Sequence, residues 1–496
     1  MDFMKTIYNR IGLCELVWEP LVGFDKNLEL MPLEAESWDK SADGLTWTFH
    51  LRKGLLWSDG EPLTANDFVF ALRRAVTQGY DFGWYWSWAA GIKNWSKVEK
   101  GTLPVEELGI KAPDNLTLVI TTETPKPFLP GVLVWLYPVP KHAVDKYGDE
   151  YATKAETMVS NSPFIVSEWV KQDHITYVRN PNYKGILKPY LSKIVTKYGT
   201  ENPETGFPAY LNNEIYKSEL NPGQLAYAQK NIPMELHSAP SFAIFYLTFD
   251  TTKPPFNDVR VRKAFNYAVN RDEMCSTVLK GLASPEWQVL MKGFPGHDPE
   301  AKKLSDYNPA SARKLLAEAG YPDGKGFPKL ELYLRQGPEM AIQKPAGEYL
   351  QAQLKKNLGI EIVPLALDMK TYTDALNKHT HNFFLAPYAF DYTDPSNFMD
   401  LFLTGGRHAW SNAEYDKLVK EGDSTWDWGK RLELYHKAQK LLIEEAPAVF
   451  MMTQTTSNVW KSFIKGPGVE PNKSGIVIWD WMYYLYILSN IYIAQH

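Results

Sequence analysis

Cysteine is nearly absent from this chain, with two in 496 residues, Cys14 and Cys275. No Cys-x-x-Cys occurs, which excludes a dithiol redox motif and a zinc ribbon. Two cysteines build no disulfide framework, and a single Cys14–Cys275 bridge is neither favoured nor ruled out. Basic runs are missing too. Lys and Arg never exceed a pair in succession, and the formal net charge is −5. That leaves no electrostatic footprint for nucleic acid or for an anionic membrane. No membrane-spanning run stands out. Phe128–Pro140 is apolar but short and carries three prolines. Ile476–Ile493 is interrupted by Asp480, Ser489 and Asn490, and its Trp, Tyr and Ile content suits strands. Met1–Arg10 has no apolar run of signal-peptide length. Ile11-Gly12-Leu13-Cys14 is only superficially a lipoprotein box, because Leu13 is bulky.

Catalytic signatures are missing as well. The chain has no Gly-x-Ser-x-Gly, no Walker A loop, no Gly-x-Gly-x-x-Gly after a strand and no His-Glu-x-x-His. Carboxylates are so numerous that choosing two as a hydrolytic pair is arbitrary. His379-Thr380-His381 is the one metal candidate, since on a strand positions i and i+2 share a face. An exposed polar loop is the plainer reading, and no metal or cofactor is expected.

What the chain does have is aromatic surface. Phe, Trp and Tyr make up 14% of it, with 17 Trp and 28 Tyr. Trp84-Tyr85-Trp86-Ser87-Trp88, with Trp95 close behind, reads either as a packed aromatic corner or as a ligand wall. Flat rings stack on sugar faces and accept varied peptide side chains. A nucleic-acid stacking platform would need interleaved basic residues. The balance of 44% hydrophobic and 22% charged residues is globular, and the length implies two to four domains.

Local patterns divide the chain. Asp43-Gly44 marks a turn, followed by period-two alternation from Thr46 to Leu51. Thr64-Ala65-Asn66-Asp67 has capping-box spacing ahead of Phe68, Ala71 and Leu72. Leu116–Thr121 reads as a strand, Phe164–Val170 and His174–Val178 as a hairpin, and Ser241–Phe249 as a buried strand. Asp258 then caps a helix with Val261, Ala264, Phe265, Ala268 and Val269 on one face. A second helix runs toward Gly281. Asn308-Pro309 opens another that Gly320 stops, and Gln343–Leu358 and Lys430–Glu445 are amphipathic helices. The first 240 or so residues are strand-dominated and the next 210 or so alternate helix and strand, which places a boundary near residue 242. No internal repeat or low-complexity linker appears.

One ordered set of segments stands out. Leu33-Glu34-Ala35-Glu36-Ser37-Trp38 is followed by Thr48–Gly54 and by Trp57-Ser58-Asp59-Gly60-Glu61-Pro62-Leu63-Thr64-Ala65-Asn66-Asp67. Pro138-Val139-Pro140-Lys141, Asn161-Ser162-Pro163-Phe164 and Arg179-Asn180-Pro181-Asn182-Tyr183 come next. Pro255–Ala264, Ala312–Tyr321, Asp391-Tyr392-Thr393-Asp394-Pro395 and Glu444-Glu445-Ala446-Pro447 close the series. Over roughly residues 16–465 this resembles the family 5 extracellular solute-binding proteins of ABC importers. The ending Asn490-Ile491-Tyr492-Ile493 resembles their oligopeptide-binding branch.

The resemblance implies a mixed α/β periplasmic-binding-protein type II fold, with two α/β lobes around a hinge and an inserted extra domain. The expected lobe I comprises 1–22, 145–242 and 460–496, the inserted domain 23–144, and lobe II 243–459. The implied protein is no enzyme. It is a periplasmic or extracellular monomer, freed of its signal or anchored through a removed N-terminal segment. It closes on an oligopeptide by differential affinity for the closed state and delivers it to the membrane permease. In that branch an Asp in a Trp/Tyr-x-x-Asp-Tyr-x-x-Pro segment meets the peptide ammonium, so Asp391 is the candidate, with Tyr388, Phe390, Trp84, Trp86 and Trp88 as walls. The pattern departs at Leu385, where the branch can carry Arg, and at Pro387, where it usually has Gly. Tyr216 and Asn221-Pro222-Gly223-Gln224 depart as well. With the Trp cluster, these leave an oligosaccharide as a second ligand class. A chaperone-like or structural surface protein is a third reading.

Overall fold

The computed structural model describes residues 2, 4–5, 13–337, 340–479 and 484–494. Residues 6–12, on which the leader expectation turns, and 480–483 of the tail lie outside the described residues. The chain parts into two compact units, 1–201 with 208–218 and 460–496, and 202–207 with 219–459. The residues expected as lobe I and as the inserted domain thus share the first unit, apart from 202–207 and 219–242. Residue 242 falls inside the second, within a continuous strand.

In the first unit, Ala35–Lys40, Thr46–Leu51, Thr117–Thr121 and Ile110–Asp114 form an antiparallel sheet in that order. Trp47, Phe49 and Leu51 are buried and their alternates half-exposed, as the period-two pattern requires. The helix Ala65–Gln78 turns Phe68, Ala71, Leu72, Ala75 and Val76 inward. The Asp67 carboxylate accepts from the Thr64 backbone N–H at 2.7 Å, which satisfies a donor at the helix start. Gly79 closes the helix at φ 60°. The hairpin of Phe164–Val170 and His174–Arg179 forms as expected and gains a third strand, Lys193–Lys197. The expected strands at the tail are corrected: Tyr484–Ser489 is a short helix, and among the described residues of the tail only Tyr492–Ile493 forms a strand. Leu485, Ile487 and Leu488 are buried there, so the apolar content fills a helix face.

The interior of this unit holds two carboxyl groups, Glu19 and Glu34, at 0% and 1% exposure. The Asn161 amide donates to Glu34 Oε1 at 2.7 Å and to the Glu19 carbonyl at 2.8 Å. Its Oδ1 accepts from the Glu19 N–H at 3.0 Å, and Tyr183 donates to Glu19 Oε2 at 2.6 Å. Glu19 Oε1 and Glu34 Oε2 have no hydrogen-bond partner among the described residues. Burial pushes Glu19 up to about 8 against the opposing Tyr183 bond and Arg52 charge. Burial and then the Glu19 charge raise Glu34 well above the carboxylate range.

In the second unit the long strand Leu236–Phe249 runs antiparallel between Ala448–Trp460 and Phe383–Ala389. Leu330–Arg335 lies parallel to Ile362–Leu367 and to Phe383–Ala389. A bulge breaks the register between Pro240 and Ile244, with Phe242 at φ 46°. Helices Val259–Ala268, Pro309–Glu318, Met340–Leu358 and Trp428–Glu445 belong to the same unit, three of them capped by Asp258, Asn308 and Asp427. The helix expected toward Gly281 is shorter. Arg271–Glu273 passes into a π-helical turn, Met274–Val278, before Lys280 and Gly281 take positive φ. Cys275 is free and buried, its thiol pushed up to about 12 by burial. The side chain of Cys14 lies outside the described atoms. No helix among the described residues is long and apolar enough to cross a membrane.

Candidate functional site

Asp391 follows the strand Phe383–Ala389, where the chain turns into the short helix Ser396–Met399. Its carboxylate is built into a bracket. Tyr388 donates its hydroxyl to Asp391 Oδ2 at 2.6 Å. Asn397 Oδ1 accepts from the Asp391 backbone N–H at 2.9 Å, and its amide lies 3.4 Å from Oδ2. The turn itself is pinned from below. Asp394 accepts from the Ser396 N–H at 3.0 Å and takes both ends of the Arg431 guanidinium at 2.8 and 2.9 Å. Burial works against the Arg431 charge, and Asp394 with Tyr435 more than restores it, leaving its pKa raised. Arg431 also holds the Gly422 carbonyl at 2.9 Å and the Tyr435 hydroxyl at 3.0 Å. Asp394 therefore shapes the turn, and Asp391 is the carboxylate presented beside it.

The aromatic residues of this segment divide by role. Tyr388 is half-buried, and burial together with the Asp391 charge holds its phenol well above its ordinary range. It stays a hydroxyl donor to Asp391 at any physiological pH. Phe390 is expected as a wall, but it is buried at 2% exposure. Its ring meets Phe242 at 5.9 Å and Phe294 at 6.3 Å, while Phe294 meets Phe398 at 4.9 Å. Phe390 supports the turn from within, and the bulge explains how: Phe390 N–H donates to the Phe242 carbonyl at 3.2 Å.

The tryptophan cluster belongs to the first unit. Tyr85–Ala89 forms a π-helical turn closed by Ala90 N–H on the Tyr85 carbonyl at 3.0 Å. Trp84 is exposed at 36% and Trp88 is half-buried, their rings 6.1 Å apart. Trp86 is fully buried against Tyr85 and Phe82 at 5.2 and 5.9 Å. Trp86 is thus corrected from a wall to a core residue, while Trp84 and Trp88 keep part of their rings at the surface. The structure joins Asp391 to Tyr388 in one unit and Trp84 to Trp88 in the other.

His379-Thr380-His381 lies in a turn with His379 at φ 51°, so the shared-face argument for a strand does not apply. His381 stacks on Tyr333 at 4.1 Å. The departure at Asn221-Pro222-Gly223-Gln224 is a capping box that opens the helix Pro222–Asn231. Leu385 is buried in its strand, and Tyr216 is exposed at 51%. Sequence reasoning missed Asn397 and Arg407, whose guanidinium carbon lies 5.3 Å from the Tyr388 ring centre. Asp-Pro-Ser-Asn at a helix start was a usable sign for Asn397. Nothing local marks Arg407.

Asp391 is thus a half-buried carboxylate hydrogen-bonded to Tyr388 and Asn397 at the end of its strand. Residues 29–410 match the family described as bacterial extracellular solute-binding proteins, family 5 Middle, and the chain belongs to that family. The probable deoxycholate-binding periplasmic protein YgiS of Escherichia coli (strain K12) is 33% identical over 463 residues, covering 91% of this chain and 85% of that protein. The periplasmic oligopeptide-binding protein OppA of the same organism is 29% identical, over 92% and 85% respectively. Among solved structures, the Borrelia burgdorferi periplasmic oligopeptide-binding protein OppAIV matches with a TM-score of 0.84 at 28% identity, over 99% of this chain and 97% of that one. Haemophilus influenzae OppA in complex with RPPGFSPFR matches with a TM-score of 0.80 at 26% identity, over 97% and 93%.

Proposed function

We propose that this chain is the extracytoplasmic solute-capturing subunit of an ABC importer and that its solute is an oligopeptide. The observation that carries this reading is the Asp391 carboxylate, held by Tyr388 and Asn397, which we assign to the peptide ammonium. The peptide names of OppA and OppAIV and the RPPGFSPFR complex support it. The hinged capture implied by the resemblance, with backbone groups pairing the peptide as an added strand, belongs to the same proposal. So do action as a monomer, delivery to permease subunits, a periplasmic or extracellular location and the absence of catalysis. Trp84 and Trp88 are proposed as further ligand contacts.

The test is calorimetric titration of the purified chain with RPPGFSPFR, trialanine, maltotriose and deoxycholate. Saturable binding of a peptide, lost on N-acetylation and weakened by Asp391→Asn, is the expected result. Peptide affinity indifferent to both changes refutes the assignment of Asp391. The deoxycholate arm has its own motive, because YgiS carries that name. Binding of maltotriose alone would move the ligand class to oligosaccharide. Binding of none would favour the chaperone-like reading.

A further inference from the structure

Pro387 stands inside a strand, where a residue without an N–H is expected to break the ladder. The ladder with Leu236–Phe249 nevertheless runs unbroken, with Pro387 opposite Phe245, and the register explains it. At one end the Asp250 N–H donates to the Asn382 carbonyl at 3.0 Å, and at the other the Phe390 N–H donates to the Phe242 carbonyl at 3.2 Å. Both bonds fall on even-numbered residues of the Phe383–Ala389 side. Antiparallel alternation therefore turns the main-chain groups of Leu385, Pro387 and Ala389 away from Leu236–Phe249, and the missing N–H costs that ladder nothing.

The loss falls on the opposite edge. There Leu330–Arg335 runs parallel and pairs through Tyr333 with Phe384. The next step of that pairing would join the Arg335 N–H to the Leu385 carbonyl and would need a donor at residue 387. Side chains take those groups instead. The Leu385 carbonyl accepts from the Tyr372 hydroxyl at 2.9 Å, and the Arg335 N–H donates to Gln343 Oε1 at 3.0 Å. Pro387 is buried, and Ala389, the following residue of the same edge, is exposed. The N–H that this edge presents beside Asp391 is thus that of Ala389, and the position before it has none.

We infer that Pro387 limits main-chain reading of the solute to one donor, the Ala389 N–H, so that the site binds an ammonium-bearing solute through its first carbonyl and gives no donor to the next. The inference rests on the reading of Asp391 as the ammonium partner. A solute laid along this edge from Asp391 meets Ala389 first and position 387 two residues further on. Any other residue there would donate to a second solute carbonyl, whereas Pro387 offers only a carbonyl of its own. A desolvated solute carbonyl without a donor is costly, so an extended peptide gains little from this edge by lengthening. The solute class that fits is a short peptide or another amine-terminated compound whose continuation carries few carbonyls.

Calorimetry at pH 7 with the full chain tests this. Dialaninamide spans Ala389 alone, tetraalaninamide reaches position 387, and neither has a terminal carboxylate. N-Acetyl-tetraalaninamide tests the ammonium reading by itself. The proteins are wild type, Pro387→Ala and Pro387→Gly, two variants that regain the N–H, each checked for a cooperative melting transition. Either folded variant should bind tetraalaninamide about fivefold more tightly than wild type, the effect of one hydrogen bond, and dialaninamide within about twofold of it. Unchanged tetraalaninamide affinity in a folded variant, or equal tightening of both amides, overturns the role of Pro387; the peptide reading then still stands if acetylation abolishes binding. If neither amide binds, or acetylation changes nothing, the reading of Asp391 fails and this inference falls with it.

Discussion

Replacing Glu34 by Gln should make the protein less sensitive to rising pH. Glu34 and Glu19 are buried together, and the titratable groups facing them are Arg52, Asp67 and the neutral Tyr183 hydroxyl that bonds Glu19. Arg52 is directed elsewhere, to the Leu33 carbonyl at 2.6 Å. Both acids have folded-state pKa values above the ordinary 4.5, with Glu19 at about 8. The sign follows from proton counting. Below about pH 4.5 both states hold the protons and no stability is at stake. As pH rises from there toward about 8, the unfolded chain ionises while the folded one keeps its protons, so stability falls. Each retained proton costs about 1.4 kcal/mol per pH unit. Asp67, raised to about 6 by burial, adds its own term at lower pH, while Glu286, raised to about 7, and His174, also raised, titrate in both proteins alike, so the reading is the difference between the two proteins over pH 6.5–7.5. The two retained protons contribute about 2.7 kcal/mol per pH unit there, and Glu34→Gln should halve that contribution. The Gln oxygen still accepts from Asn161, which at present donates to Glu34 Oε1 at 2.7 Å. For a unit of roughly 200–250 residues this is on the order of 5–10 °C of melting temperature per pH unit in wild type and about half that in the variant. Differential scanning calorimetry at three pH values reads both slopes. Parallel lines for the two proteins would refute the buried, protonated pair.

Three further outcomes follow from the second unit and the tryptophan turn. Asp391→Asn should weaken binding of a free-amino peptide by about 1.5–3 kcal/mol, read by calorimetry, with little change in melting temperature. Asp394→Ala should do the reverse. It strands the buried Arg431 charge and should cost about 3–5 kcal/mol of stability in denaturant titration; a loss under about 1 kcal/mol would mean that the Tyr435 hydroxyl and the Gly422 carbonyl suffice. Trp86→Ala should cost about 3–5 kcal/mol through the cavity it leaves, whereas Trp84→Ala should stay within about 1 kcal/mol and act, if at all, on ligand affinity. Equal destabilisation by the two would contradict the division of the cluster into core and surface.

The fold was legible where local chemistry and burial agree. Thr64 with Asp67, Asp258, Asn308 and the Asp43-Gly44 turn each fix a boundary through a short-range hydrogen bond or a positive φ, and the structure places them within a residue or two. Reading failed where composition was used in place of spacing. The tail residues Tyr484–Ser489 are β-rich in type yet form a helix, because tertiary burial of Leu485, Ile487 and Leu488 outweighs β-propensity. The site was half legible. Asp391 and Tyr388 sit three apart in one motif and touch. Phe390 and Trp86 lie in equally conspicuous motifs and are buried, since a motif shows which residues are neighbours but not which way a bulge or a π-helical turn aims them. Arg407 is the extreme case. Its surroundings are a ring nineteen positions earlier and a following histidine clamped to another strand. Each of those is a long-range fact that the sheet creates and no window of sequence contains. The residues that fix local boundaries are thus the readable ones, and those whose surroundings come from distant strands are not.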